Sequence, residues 1–230
     1  MKTIGLIGGM SWESTLEYYK IINERVKERV GGLHSAKCVV FSFDFEEIEE
    51  LQHQGNWGKL TELMVDAARR LEKIGAELVL ICTNTMHKTA DDVQSAIGIP
   101  LIHIMDVTAE RIKEKGLKRV GLLGTRFTME EDFYKKRLTE KHGIDVVIPN
   151  EEERKLIHSV IYNELCLGIT KPESKTRFKE IIRNLVSNGA EGIILGCTEI
   201  PLLMRQEDVE VPVFDTTTIH AESAVEYALK

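Results

Sequence analysis

The chain has 230 residues, a formal net charge of −7 and a hydrophobic content of 43%. These values are ordinary for a soluble globular protein, and the length allows one large or two small domains. The acidic balance argues against nucleic acid or an anionic membrane as a partner. No stretch approaches the ~20 apolar residues that span a bilayer, and the N-terminal apolar run is too short for a signal peptide. The four cysteines are scattered without metal-site spacing, so we expect a cytoplasmic protein with free thiols and no bound metal.

The first half of the chain alternates short apolar runs with helical patterns. Strands are predicted over 3–7, 37–43, 78–82 and 100–104, and helices over 12–30 and 60–74. In the second of these helices, apolar residues recur at steps of three and four. Alternating βα units of this kind predict a parallel sheet with helices on both faces.

The second half of the chain repeats motifs of the first in the same order. IGLIG at 4–8 returns as VGLLG at 120–124, and the strand that ends before Thr83 returns as the strand that ends before Cys197. We therefore predict an α/β fold of two pseudo-symmetric βα-repeat domains, each with a mostly parallel sheet flanked by helices. The predicted domains are 1–101 plus 216–230, and 102–215, because a terminal helix from 221 to 229 would pack back on the first half. Ligands bind at the carboxyl ends of parallel strands, so we expect the active site in the cleft between the domains.

Cys197 directly follows a buried-type strand and has polar neighbours. Gly196 before it allows a ligand or backbone to approach closely, and Thr198 and Glu199 follow it. A thiol near the start of the next element is expected to have a pKa below the usual value of about 8.5. The alternative is a core cysteine that closes a strand, but the polar residues after it favour a functional thiol.

The equivalent segment of the first half runs from Thr83 to His87. By the repeat, Thr83 is the counterpart of Cys197. Side chains that are neighbours on a strand point to opposite faces, so Cys82 should point away from Cys197 unless the backbone turns there. Asn84 and Thr85 suit either binding of a carboxylate or capping of the next helix, and the sequence leaves both open. A lone histidine such as His87 is more often structural than catalytic.

Gly124 to Thr128 opens the corresponding loop of the second half, where Thr125 and Thr128 either line the site or form a turn and N-cap. These motifs together resemble the aspartate/glutamate racemase family. The segment 83–87 is similar to its Cys-Asn-Thr-x-His motif and 196–199 to its Gly-Cys-Thr-Glu motif, and residues 4–10 also look like that family.

The resemblance implies an amino-acid racemase that uses no pyridoxal phosphate or other cofactor, with a small amino acid as substrate and a homodimeric assembly. Two acid–base groups would remove the Cα proton from one face and return it on the other. The implied catalytic residues are Cys197 and Thr83. The implied substrate-binding residues are Met10, Asn84, Thr85, Thr125, Thr128, Thr198 and Glu199.

Two departures from the family pattern affect this interpretation. Thr83 occupies the place of the first catalytic cysteine, and a hydroxyl is a far weaker acid than a thiol. The resemblance is therefore to a branch with threonine there, in which Cys197 is the competent base and one enantiomer reacts more easily. Residues 45–52 contain no arginine to pair with a side-chain carboxylate, and Gln52 offers a neutral donor instead.

Aspartate and glutamate are the predicted substrates, with another amino acid such as homoserine as the first alternative. A decarboxylase or isomerase of the same fold that needs only Cys197 is the second. A non-catalytic amino-acid-binding protein that keeps the carboxylate-binding residues is the third.

Overall fold

The computed structural model describes residues 1–230, and the chain divides into two compact units. Unit 1 comprises Met1–Ile104 and His220–Lys230, and unit 2 comprises Met105–Ile219. These limits lie a few residues from the predicted limits, 1–101 plus 216–230 and 102–215. Each unit contains one parallel β-sheet flanked by helices, so the predicted α/β fold with two parallel sheets is confirmed. None of the helices combines the length and the hydropathy that crossing a membrane requires.

Unit 1 is built on a three-stranded sheet of order β2-β1-β3, in which all strands are parallel. Its strands are β1 (Ile4–Gly8), β2 (Cys38–Ser42) and β3 (Leu78–Ile81). Its helices are α1 (Trp12–Val30), α2 (Phe45–His53), α3 (Trp57–Lys73) and α4 (Ala90–Ala96), with a 3₁₀ turn at Thr85–Thr89. The predicted helix 12–30 is confirmed with the same limits.

Two apolar clusters cover the two faces of this sheet. Side chains alternate along β3, so Val79 and Ile81 lie in the cluster that contains the buried face of α3. Leu78 and Leu80 lie in the other cluster, with α1 and the residues Ala221 to Ala228. The C-terminal helix therefore completes the core of unit 1, and burial of each large apolar side chain contributes roughly 1.5–3 kcal/mol.

The predicted fourth strand at 100–104 is reduced to a single bridge between Leu101 and Val79. The Val79 amide donates to the Pro100 carbonyl at 2.9 Å, and the Ile102 amide donates back to Val79 at 3.0 Å. Pro100 has no amide hydrogen, and a helix already begins at Ile104, so the ladder cannot extend in either direction.

Unit 2 has a four-stranded parallel sheet of order β5-β4-β6-β7. Its strands are β4 (Arg119–Gly124), β5 (Asp145–Val147), β6 (Gly192–Gly196) and β7 (Val213–Asp215). The remaining helices are α5 (Ile104–Glu114), α6 (Arg126–Glu130), α7 (Asp132–Lys136), a π-helical turn (Arg137–Lys141), α8 (Glu151–Asn163), α9 (Pro172–Ser187) and α10 (Thr216–Ala228). The order β5-β4-β6 repeats the order β2-β1-β3, so the repeat seen in the sequence is also a repeat of topology.

Candidate active site

The first half-site lies at the carboxyl edge of the unit 1 sheet. β1 and β3 are parallel neighbours with Ile7 opposite Ile81, so the segments that follow them leave the same edge. We define the first half-site by five residues around these segments. They are Met10, Gln52, Thr83, Asn84 and Thr85. Four of them are buried, whereas Thr83 is half-buried in a run of otherwise buried residues.

Asn84 and Thr85 lie at the start of the 3₁₀ turn that follows β3. Asn84 occupies the N-cap position of the Thr85–Thr89 turn, but its side chain makes no capping hydrogen bond there. Both side chains are at most 5% exposed. The missing cap bond argues against the capping interpretation for Asn84, and the binding of a ligand by these two residues stays a prediction.

Gln52 reaches this half-site from α2. It is buried, and its Nε2 donates to the Sδ of Met86 at 3.2 Å. A thioether is a weak acceptor, so a better acceptor on a ligand could replace it. The side chain is neutral, in keeping with the absence of an arginine from α2.

Cys82 takes no part in the first half-site. Its side chain is fully buried in the apolar cluster with Leu80 and Tyr18, on the opposite face from Ile81. Burial raises the pKa of the Cys82 thiol far above its ordinary value. The thiol is therefore a small core side chain, as the alternation along β3 predicts.

The second half-site lies at the carboxyl edge of the unit 2 sheet, where Gly124 of β4 pairs with Gly196 of β6. We define it by the polar residues after these two strands. They are Thr125, Thr128, Cys197, Thr198 and Glu199, and all of them are buried. Gly196 is required by packing, because a Cβ there would lie 2.9 Å from the carbonyl oxygen of Leu123.

Cys197 and Glu199 form a buried thiol–carboxylate pair. The Cys197 Sγ donates to Glu199 Oε2 at 2.9 Å, and the Thr198 hydroxyl donates to the same oxygen at 2.9 Å. Burial, followed by the charge of Glu199 and the neighbouring Cys166, raises the pKa of the Cys197 thiol well above its ordinary value.

The predicted lowering of the pKa of Cys197 is therefore wrong. The element that follows is only a three-residue turn, Ile200–Leu202, and the thiol donates to a carboxylate oxygen. Burial beside a carboxylate disfavours the thiolate. The resting cysteine is a protonated thiol whose proton already points at a carboxylate oxygen.

Thr125 and Thr128 are linked to each other. The Thr125 side chain caps α6 by accepting from the Thr128 amide at 3.3 Å, and the two hydroxyl oxygens are 3.2 Å apart. The N-cap interpretation of Thr125 is thus correct. Thr128 is completely buried, next to the strand end that carries Gly124.

Two residues near the half-sites were not assigned a role in the sequence. Cys166 precedes a tight turn at Gly168 and is close enough to Cys197 to affect its pKa. His87 hydrogen-bonds the carbonyl of Thr83 at 2.7 Å. No group of three or more His, Cys, Asp or Glu side chains is arranged to bind a metal ion.

Several proteins that resemble this chain in sequence or fold are named as amino-acid racemases. The family model of Asp/Glu/hydantoin racemase matches residues 7–224. The broad specificity amino-acid racemase RacX of Bacillus subtilis is 24% identical over 96% of both chains.

Two solved structures are more similar. A Yersinia pestis protein, provisionally assigned as an Asp/Glu racemase, is 54% identical over 100% of both chains, with a TM-score of 0.94. An aspartate racemase homologue from Pyrococcus horikoshii OT3 is 40% identical over 100% of both chains, with a TM-score of 0.87. On its sequence and its fold, this chain belongs to the Asp/Glu/hydantoin racemase family.

Proposed function

We propose that the protein is a cofactor-independent racemase of aspartate and glutamate, in which Cys197 and Thr83 act on the same substrate Cα. The observation that carries the proposal is the buried pair formed by Cys197 and Glu199, 2.9 Å apart. Removal of a Cα proton needs a base held at a fixed position. A thiol that is hydrogen-bonded to a carboxylate is the protonated form of such a base, because transfer of its proton to the carboxylate leaves a thiolate.

The proton transfers follow from the hydrogen bonds of the second half-site. The Cys197 thiol passes its proton to Glu199, and the resulting thiolate takes the Cα proton of the substrate. The negative charge that develops on the substrate carboxylate needs fixed donors, and buried Asn84, Thr85 and Thr198 supply the donor groups. A proton is then returned to the other face of Cα, which inverts the configuration, and Glu199 gives its extra proton back to solvent, so that no net proton is consumed.

Thr83 is the proton donor on the second face of the substrate Cα in this proposal. Its hydroxyl relays a proton from water, because it is too weak an acid to serve as a stored base. Thr83 is half-buried, whereas residues 84–87 after it are buried, so water can reach Thr83 to supply the proton. At saturating substrate the two directions should therefore differ in kcat, and the larger kcat belongs to the enantiomer whose Cα proton faces Cys197. The ratio kcat/KM stays equal in both directions, because the equilibrium constant of racemisation is one.

The substrate is assigned from the relatives and from Gln52. The names of the similar proteins cover aspartate, glutamate and broad amino-acid specificity. A buried, neutral Gln52 can donate to a side-chain carboxylate or to a hydroxyl. Homoserine is therefore the alternative substrate to compare with aspartate and glutamate.

The experiment is a panel of L- and D-aspartate, glutamate and homoserine, incubated with the purified protein in deuterated water. NMR reports exchange at Cα, and chiral chromatography reports inversion. We expect exchange and inversion of aspartate or glutamate, without added cofactor. Binding of these amino acids without exchange or inversion contradicts the proposal.

One observation favours a second candidate. Because the resting Cys197 is a protonated thiol, it could also donate a proton to a carbanion left after loss of CO₂. A decarboxylase of a substituted malonate would need no group at Thr83. Release of CO₂ from such a malonate, with no exchange at Cα of any amino acid in the panel, would select this candidate.

A further inference from the structure

His87 is hydrogen-bonded through both nitrogens of its ring. Its Nδ1 lies 2.7 Å from the carbonyl oxygen of Thr83, and its Nε2 lies 3.2 Å from the amide nitrogen of Ile104. The ring is buried, with 3% of the residue exposed. Its own backbone amide also donates to the Asn84 carbonyl at 3.1 Å. His87 thus closes the turn from Thr83 with both its side chain and its backbone.

The partners of His87 define the protonation of its ring. A carbonyl oxygen can only accept, so Nδ1 carries the hydrogen and donates to Thr83. A backbone amide can only donate, so Nε2 is unprotonated and accepts from Ile104. A ring with one donor and one acceptor used in this way is neutral, and a second proton on Nε2 would break the bond from Ile104.

The ring is also held from the sides by two other histidines. His103 and His220 make edge contacts with it, with ring centroids 4.7 Å and 5.5 Å away. His220 is itself fixed, because Tyr18 donates to its Nδ1 at 2.8 Å and its Nε2 donates to the Ile102 carbonyl at 2.6 Å. Every contact named here lies within unit 1, so this support does not depend on unit 2.

From these contacts we infer that His87 is the positioning residue for Thr83, holding its carbonyl so that its hydroxyl is presented to the substrate. The inference rests on the proposed function. A neutral donor is suited to the task, because the bond to the Thr83 carbonyl stays in place while protons move elsewhere in the site. A displacement of about 1 Å in a reacting group can cost 100-fold in rate, so the hold on Thr83 has kinetic consequences.

Two substitutions separate the two bonds of the ring. The amide nitrogen of His87→Asn occupies the place of Nδ1 and keeps the donor to Thr83, but loses the link to Ile104. The amide oxygen of His87→Gln occupies the place of Nε2 and keeps that link, but loses the hold on Thr83. Replacement of the exposed His34 by Gln controls for the removal of a histidine.

We expect the kcat for Cα exchange to fall roughly 10- to 100-fold in His87→Gln, with a much smaller change in KM. His87→Asn and His34→Gln should stay within a few-fold of wild type. If His87→Gln exchanges as fast as wild type, or if His87→Asn is as slow as His87→Gln, the inference is wrong.

Two measurements without turnover test the same inference. Nitrogen-15 NMR of the wild-type protein should show His87 protonated on Nδ1 alone, and amide hydrogen exchange at residue 87 should be faster in the Gln variant than in the Asn variant. A ring protonated on Nε2, or equal amide exchange in the two variants, overturns the inference. If the wild-type protein exchanges no Cα proton, the proposed function fails, and these two measurements still decide whether His87 holds the turn.

Discussion

The stability of unit 1 should depend on pH through His220. This ring is completely buried against Tyr18, and burial is the main cause that lowers its pKa from 6.5 to about 4, opposed by the bond to the Ile102 carbonyl. In the unfolded chain the ring regains its ordinary pKa of about 6.5. As the pH falls below 6.5, the unfolded chain therefore binds a proton that the folded protein does not bind, and the folded protein loses stability.

The size of this loss follows from the two pKa values. Each pH unit between them corresponds to about 1.4 kcal/mol, so the full loss is about 3 kcal/mol once the pH reaches 4. Between pH 7 and pH 5 the loss from this one ring is about 2 kcal/mol. A loss of this size is a large part of the stability of a typical domain.

The assay is urea unfolding at pH 7 and pH 5, followed by the fluorescence of Trp12 and Trp57, which both lie in unit 1. His220→Gln is the matched variant, since its amide cannot titrate and its amide nitrogen can take the place of Nε2 and keep the bond to the Ile102 carbonyl. The free energy of unfolding should fall by about 2 kcal/mol more in wild type than in the variant between these two pH values. Equal losses in both proteins would refute the assignment of a neutral, buried His220.

Two further predictions concern the half-sites, and a third concerns the core of unit 1. Thr83→Cys should raise the kcat of racemisation by at least about tenfold, mainly in the direction with the lower kcat, because a thiol can store the proton that a hydroxyl must relay. Unchanged kcat values for both enantiomers in the chiral assay would count against the role of Thr83. Glu199→Gln should lower kcat by roughly 100-fold or more, because it removes the acceptor for the thiol proton. The same variant should speed alkylation of Cys197 by iodoacetamide at pH 8, because loss of the negative charge lowers the pKa of the thiol. Slower alkylation would contradict the pairing of Cys197 with Glu199. Cys82→Ser should cost about 1–3 kcal/mol in urea unfolding, since it buries a hydroxyl in an apolar cluster, and an unchanged midpoint would show that Cys82 is not in the core.

Much of the fold could be predicted from the sequence, because the relevant signals are local. The repeat of IGLIG as VGLLG marks an inner strand of each sheet, and the apolar spacing from Leu60 to Leu71 defines the buried face of α3. The alternation along β3 predicts that Cys82 points away from Cys197, and the structure places Cys82 in the core. Ile74, counted as apolar in the predicted pattern, is instead the C-cap residue and is 63% exposed.

The remaining features depend on distant parts of the chain. β5 is only three residues long and pairs with β4 across an intervening segment that includes a π-helical turn, so its own sequence carries a weak signal. The pKa of Cys197 depends on burial and on the direction of the Glu199 side chain, and neither is visible in the motif. The role of His87 depends on two backbone atoms, the Thr83 carbonyl and the Ile104 amide, and folding alone brings the second of them to the ring.

If the thiol of Cys197 moves the Cα proton, replacing this cysteine should stop proton exchange, whereas replacing the core cysteine Cys82 should not. Deuterium incorporation into L-glutamate and L-aspartate is followed by NMR in deuterated water for wild type, Cys197→Ser and Cys82→Ser. We predict incorporation by the wild type and by folded Cys82→Ser, and a loss of at least about 100-fold in Cys197→Ser. Incorporation by Cys197→Ser at the wild-type rate would show that the thiol of Cys197 does not move the Cα proton.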